Sequence, residues 1–118
     1  MYSYSYDYVK SMVESLAIVF DYEKEHSDTI TKRALELFGL YRSVYTWLSD
    51  DDVLIASVAA AIIVIEEVPM FLLENDQERF NAPLIKDMIE YCGKEYLIGT
   101  KVKTVKERPY PVNCPRVI

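Results

Sequence analysis

The residues of this 118-residue chain suited to chemistry are few: one histidine, two cysteines and two carboxylate clusters. His26 lies in the charged segment Glu23-Lys24-Glu25-His26-Ser27-Asp28 and reads as a solvated loop histidine. Cys92 falls on an apolar helical stripe, which suits a buried thiol, and Cys114 lies among prolines. Their spacing matches neither a disulfide framework nor a zinc site, and a Cys92–Cys114 bridge is the weaker alternative. Asp50-Asp52 and Glu66-Glu67 flank one apolar run. At 1.5 Å rise per helical residue they stand about 20 Å apart, too far for a catalytic carboxylate pair. Three aspartates ahead of an apolar run fit the positive end of a helix better than a divalent-cation site. The chain carries no glycine-rich phosphate loop, His-Glu-x-x-His, Cys-x-x-Cys or nucleophile elbow. The expectation is a protein that is not an enzyme, with no cofactor and no metal.

What stands out instead is suited to contact. Tyr2, Tyr4 and Tyr6 alternate with small or acidic residues, and none is needed for a core stripe. Exposed tyrosines bring large contact area at low entropic cost. They fit two readings, an interaction arm or a segment docked on the chain's own body. Period two also suits a strand with one aromatic face. Tyr41, Tyr45 and Tyr96 lie on apolar stripes and are expected at the rim of the core.

Charge divides the chain. Residues 1–98 hold 8 Lys/Arg against 18 Asp/Glu, a net −10, and residues 99–118 hold 5 against 1, a net +4. The body should repel nucleic acid, and Lys101, Lys103, Lys106 and Arg108 of the tail should attract it or an acidic surface. Few Asn and Gln beside many Glu, Lys and Ile give a composition that leans thermophilic.

These features rest on helices. Val9, Met12, Val13, Leu16, Val19 and Phe20 recur at helical spacing, predicting a first helix from about Asp7, its N-cap, to about Glu25. A second runs from Asp28 to Leu48 on the stripe Ile30, Ala34, Leu37, Phe38, Tyr41, Val44, Tyr45, Leu48. Gly39 falls inside it, which suggests a neighbour packed close there. Ser49 caps a third helix from Asp50 to about Val68, apolar all round and therefore central. Its 13-residue apolar run is shorter than the roughly 20 that span a bilayer. A short apolar stretch, Met70 to Leu73, follows Pro69. Asn81-Ala82-Pro83 starts another helix, with Ile85, Met88, Ile89, Cys92 and Tyr96 inward and Gly93 or Gly99 at its end. The expected fold is all-α: a single bundle of four or five helices in a 1–98 domain around a buried helix at about 50–68. A basic, proline-containing tail (99–118) follows. Both termini are extended and candidates to pair as short strands. With no leader-like start and no disulfide framework, the expected location is cytoplasmic.

Val13 to Leu16, Thr29-Ile30, Ala34 to Phe38 and Val53 to Pro69 together carry a family likeness: residues 8–98 resemble a cyclin box, the helical repeat of cyclins and transcription factor B proteins. Val13-Glu14-Ser15-Leu16 looks like the first-helix motif, Thr29-Ile30 sits where cyclins place Thr-Leu, and Ala34 to Phe38 is similar to the second-helix motif. Val53 to Pro69 looks like the buried third helix, with Glu66-Glu67 at the cyclin Glu-Glu position. Val64 stands where cyclins carry a kinase-contacting lysine, and the body is acidic where transcription factor B repeats are basic. The resemblance therefore implies a regulatory, protein-binding domain without the residues for kinase or DNA contact. The functional expectation is a non-enzymatic interaction module, an adaptor or inhibitor, with Tyr2, Tyr4, Tyr6, Glu66 and Glu67 as contact residues. The alternatives are a small self-assembling structural protein, such as a virion component, and a nucleic-acid-associated regulator working through Lys101, Lys103, Lys106 and Arg108.

Overall fold

The computed structural model describes residues 4–76 and 78–99. Among them are six helices and no strand: α1 (Tyr6–Phe20), α2 (Ser27–Arg42), α3 (Asp50–Ile65), α4 (Phe71–Glu74), α5 (Ala82–Cys92) and α6 (Lys94–Leu97). The all-α bundle expected from the periodicity is the fold. The proposed pairing of the termini as strands involves residues outside the described ones.

α3 is the axis. Ser49 Oγ accepts from the Asp52 N–H at 3.1 Å, closing the helix start that the three aspartates favour electrostatically. Every residue from Val53 to Val64 except Ile55 is buried. α2 packs on it most extensively, then α5, with α1 and α6 completing the surround. Ala56, Ala59, Ala60 and Ala61 keep its surface low and are all buried among the surrounding elements. Ser57 lies in this apolar setting because its hydroxyl donates back to the Val53 carbonyl at 2.8 Å.

Two tyrosines fasten α5 to the end of α2. Tyr41 Oη donates to the Met88 carbonyl, and Tyr45 Oη donates to Asp87 Oδ2 at 2.9 Å. Both tyrosines and Asp87 are fully buried, which for Tyr41 and Tyr45 is deeper than the core rim expected of them. Tyr96 is half-buried. α5 begins as the sequence indicates, with Asn81 Oδ1 accepting from the Leu84 N–H at 3.2 Å and Pro83 in the first turn. Gly93, at φ 80°, ends it.

Several boundaries differ from those expected, each for a local reason. Ser5, not Asp7, is the first N-cap: its Oγ accepts from the Tyr8 N–H at 3.1 Å, so Tyr6 and Asp7 are helical rather than the end of an extended arm. α1 stops at Phe20 because Asp21 turns left-handed, φ 53°. A 3-10 turn, Lys24–His26, leads into α2. α2 stops at Arg42 rather than Leu48. Arg42 Nη1 donates to the Tyr45 carbonyl at 2.9 Å and Nε pairs with Asp50 Oδ1 at 2.8 Å, fixing the connecting loop 43–49. α3 ends at Ile65 rather than Val68, for the reason given below. Gly39 has no close neighbour: nothing lies within 4 Å of a Cβ built there. Among the described residues, no helix is long and apolar enough to cross a membrane.

Candidate functional site

The described tyrosines are turned onto the body. The Tyr4 and Tyr8 rings stack with centroids 5.0 Å apart, and Tyr4 meets Phe38 edge-on at 4.9 Å. Their hydroxyls donate to Asp51 Oδ1 at 3.0 and 3.3 Å. Burial, with the Asp51 hydrogen bond second, pushes the Tyr4 hydroxyl up to about 12. Tyr6 Oη donates to Asp28 Oδ1 at 2.5 Å while the ring stays exposed. Of the two readings of this segment, Tyr4 follows the docked one. Tyr2, Lys101, Lys103, Lys106 and Arg108, like Cys114, lie outside the described residues. Cys92 is a buried free thiol, pushed up to about 11 by that burial.

The functional geometry gathers at the C-terminus of α3. Glu66 caps the helix, Glu67 takes the left-handed conformation at φ 55°, and the Val68 N–H returns to the Ile63 carbonyl at 3.0 Å. This is a Schellman turn with glutamate where glycine is usual. It faces Glu66 and Glu67 in different directions. Glu66, expected as an exposed contact residue, is turned inward: its side chain is 9% exposed and Oε2 meets His26 Nδ1 at 2.5 Å. That contact also removes His26 from the solvated loop expected of it, although its ring is still 45% exposed. Glu67 stays exposed.

On one side of the turn is an acidic corner. A cavity of about 240 Å³ is lined by Phe20 to Glu23, just beyond α1, and by Glu66 to Pro69, just beyond α3. Two helix C-termini thus meet there, each carrying partial negative charge. Glu23, His26 and Glu66 offer donor atoms within 4.8 Å of one another. Tyr22 forms part of the wall. Its hydroxyl is buried without a hydrogen-bond partner, and burial together with the Glu14 and Glu66 carboxylates raises its pKa.

On the other side is an apolar groove of about 410 Å³, lined by Ile63, Val64, Val68, Met70 and Ile89 with Glu67 and Lys94 at its lip. Phe71, next to Met70 at the start of α4, is 59% exposed. The residue pattern does not announce this groove, because apolar stripes mark core positions and groove walls alike. No protein-family model, no curated protein and no solved structure matches the chain.

Proposed function

We propose that the protein is a non-enzymatic interaction module that seats a basic amphipathic helix of another protein in the groove between α3 and α5. The observation that carries this reading is the groove itself: five aliphatic or thioether side chains converging on an open 410 Å³ hollow, with a large exposed aromatic next in the chain. That volume is within the range of recognition pockets, and apolar anchors at i, i+3 and i+4 of a helix suit such a hollow. Charge selects the occupant. Residues 1–98 carry a net −10, which steers cationic segments in and opposes the approach of a second acidic body. The lip carries one charge of each sign, Glu67 and Lys94, so the body's net charge makes the selection and Glu67 is the lip contact for a lysine or arginine of the partner. The reading stands on the groove and not on the cyclin-box resemblance.

The test is fluorescence polarisation with two labelled amphipathic peptides of equal length, both with leucine on one face, one with lysine and one with glutamate on the other. The full chain should bind the lysine peptide and not the glutamate one. Met70→Glu with Phe71→Glu, the first half-buried and the second exposed, should abolish binding while circular dichroism still shows a folded helical domain. Binding of neither peptide, or equal binding by the double variant, contradicts the reading.

A further inference from the structure

We propose that Glu23, His26 and Glu66 bind a divalent first-row transition ion, zinc fitting best, in the corner where the C-termini of α1 and α3 meet. One donor atom from each residue lies within 4.8 Å of the other two. Zinc takes imidazole nitrogen and carboxylate oxygen at about 2.0–2.2 Å, so its donors stand about 3.4 Å apart in a tetrahedral shell. Glu23 is exposed and free to swing inward by rotation of its side chain. His26 Nδ1 and Glu66 Oε2, now 2.5 Å apart, need to separate by only about 1 Å as the ion takes the place of the proton between them.

Three further observations point to a cation rather than a plain ion pair. The cavity wall carries Asp21, Glu23, Glu66 and Glu67 and no lysine or arginine, and two helix C-termini add to the negative potential. Tyr22, 8% exposed, lines the same cavity and carries a buried hydroxyl with no hydrogen-bond partner, close enough to Glu66 to feel its charge. Buried hydroxyls ordinarily find a partner, and a water held on the ion supplies one. Glu25 Oε1, 3.9 Å from His26 Nε2, makes no hydrogen bond to it but adds a further negative charge beside the imidazole.

The donor set fixes the class of ion. An imidazole with two carboxylates favours zinc and its transition-metal neighbours over calcium or magnesium, which take oxygen alone. Three protein ligands leave a position for water, the open form of a zinc site. Sequence spacing did not show the set, since Glu66 is 40 residues from His26.

The test is isothermal titration of the untagged full chain with zinc chloride, with calcium chloride as comparison. One zinc should bind per chain and calcium should not compete. His26→Ala and Glu23→Gln should each weaken zinc binding by more than about tenfold, and Tyr22→Phe by up to about tenfold through the lost water contact. Cys114→Ser should leave it unchanged, and a cobalt-loaded sample should lack thiolate charge-transfer absorption. No zinc binding, binding indifferent to His26→Ala, or binding lost with Cys114→Ser overturns the proposal.

Discussion

Gly39→Ala should stabilise the protein by about 1 kcal/mol. Gly39 is position 13 of the 16 in α2, exposed, and not in the left-handed region. A methyl group there meets nothing within 4 Å. The substitution therefore gains the helix-propensity difference, about 0.8–1.0 kcal/mol, with no steric cost set against it. For a domain of this size that raises the melting temperature by about 3–4 °C. Gly93→Ala is the matched opposite: at φ 80°, ψ 157° the backbone is in a region essentially reserved to glycine, and an alanine there carries strain of about 1–3 kcal/mol. Circular dichroism melts of the full chain and both variants should bracket the parent, Gly39→Ala above and Gly93→Ala below. A Gly39→Ala melt at or below the parent would refute the reasoning. It would mean that the exposed face of α2 is covered by something, and the close neighbour expected from sequence would return as the explanation.

Ala60→Phe forces a ring into the buried side of α3 and should cost at least about 1–3 kcal/mol, read as a fall in denaturation midpoint; an unchanged midpoint would remove α3 from the centre. Ser49→Ala removes the α3 cap and should cost about 1 kcal/mol, with Ser49→Asp retaining most of it. Alkaline pH should unfold the protein in a defined window. The Tyr4 hydroxyl, raised from 10.0 to about 12, is favoured neutral in the fold. Its contribution is complete below about pH 10 and is lost as pH rises toward 12, with Tyr6, Tyr8, Tyr22 and Tyr41 shifted in the same direction. Tyrosinate absorbance and loss of helical signal should therefore rise together above pH 10, and full ionisation of the tyrosines with helicity intact would contradict this.

The axis of the fold was legible because local signals agreed there. Ser49, three aspartates and an apolar run wider than one stripe all specify a capped, surrounded helix, and α3 is that helix. Asn81 and Pro83 were equally plain for α5. The end of α2 was not, since Tyr45 continues the helical spacing yet reaches the core from a loop held by Arg42. The alternating tyrosines mimicked a strand, and only the Ser5 cap decides that Tyr8 follows Tyr4 one helical turn later, ring on ring. The end of α3 was misplaced by three residues because a glutamate occupies the left-handed position that glycine normally announces. The candidate site was the least legible part. Glu66 and Glu67 are neighbours in sequence, yet Glu66 turns inward to His26 while the exposed Glu67 borders both the acidic corner and the groove. Ile63, Val64 and Ile89 read as core, and composition does not reveal which core-like side chains border open space.

The most direct measurement of the central claim is isoleucine-methyl NMR of the full chain titrated with the lysine-faced peptide. The groove reading predicts that the Ile63 and Ile89 methyls shift while those of Ile18 and Ile30, on α1 and on the buried face of α2, stay in place. Shifts confined to Ile18 or Ile30, or no shift at saturating peptide, would contradict it.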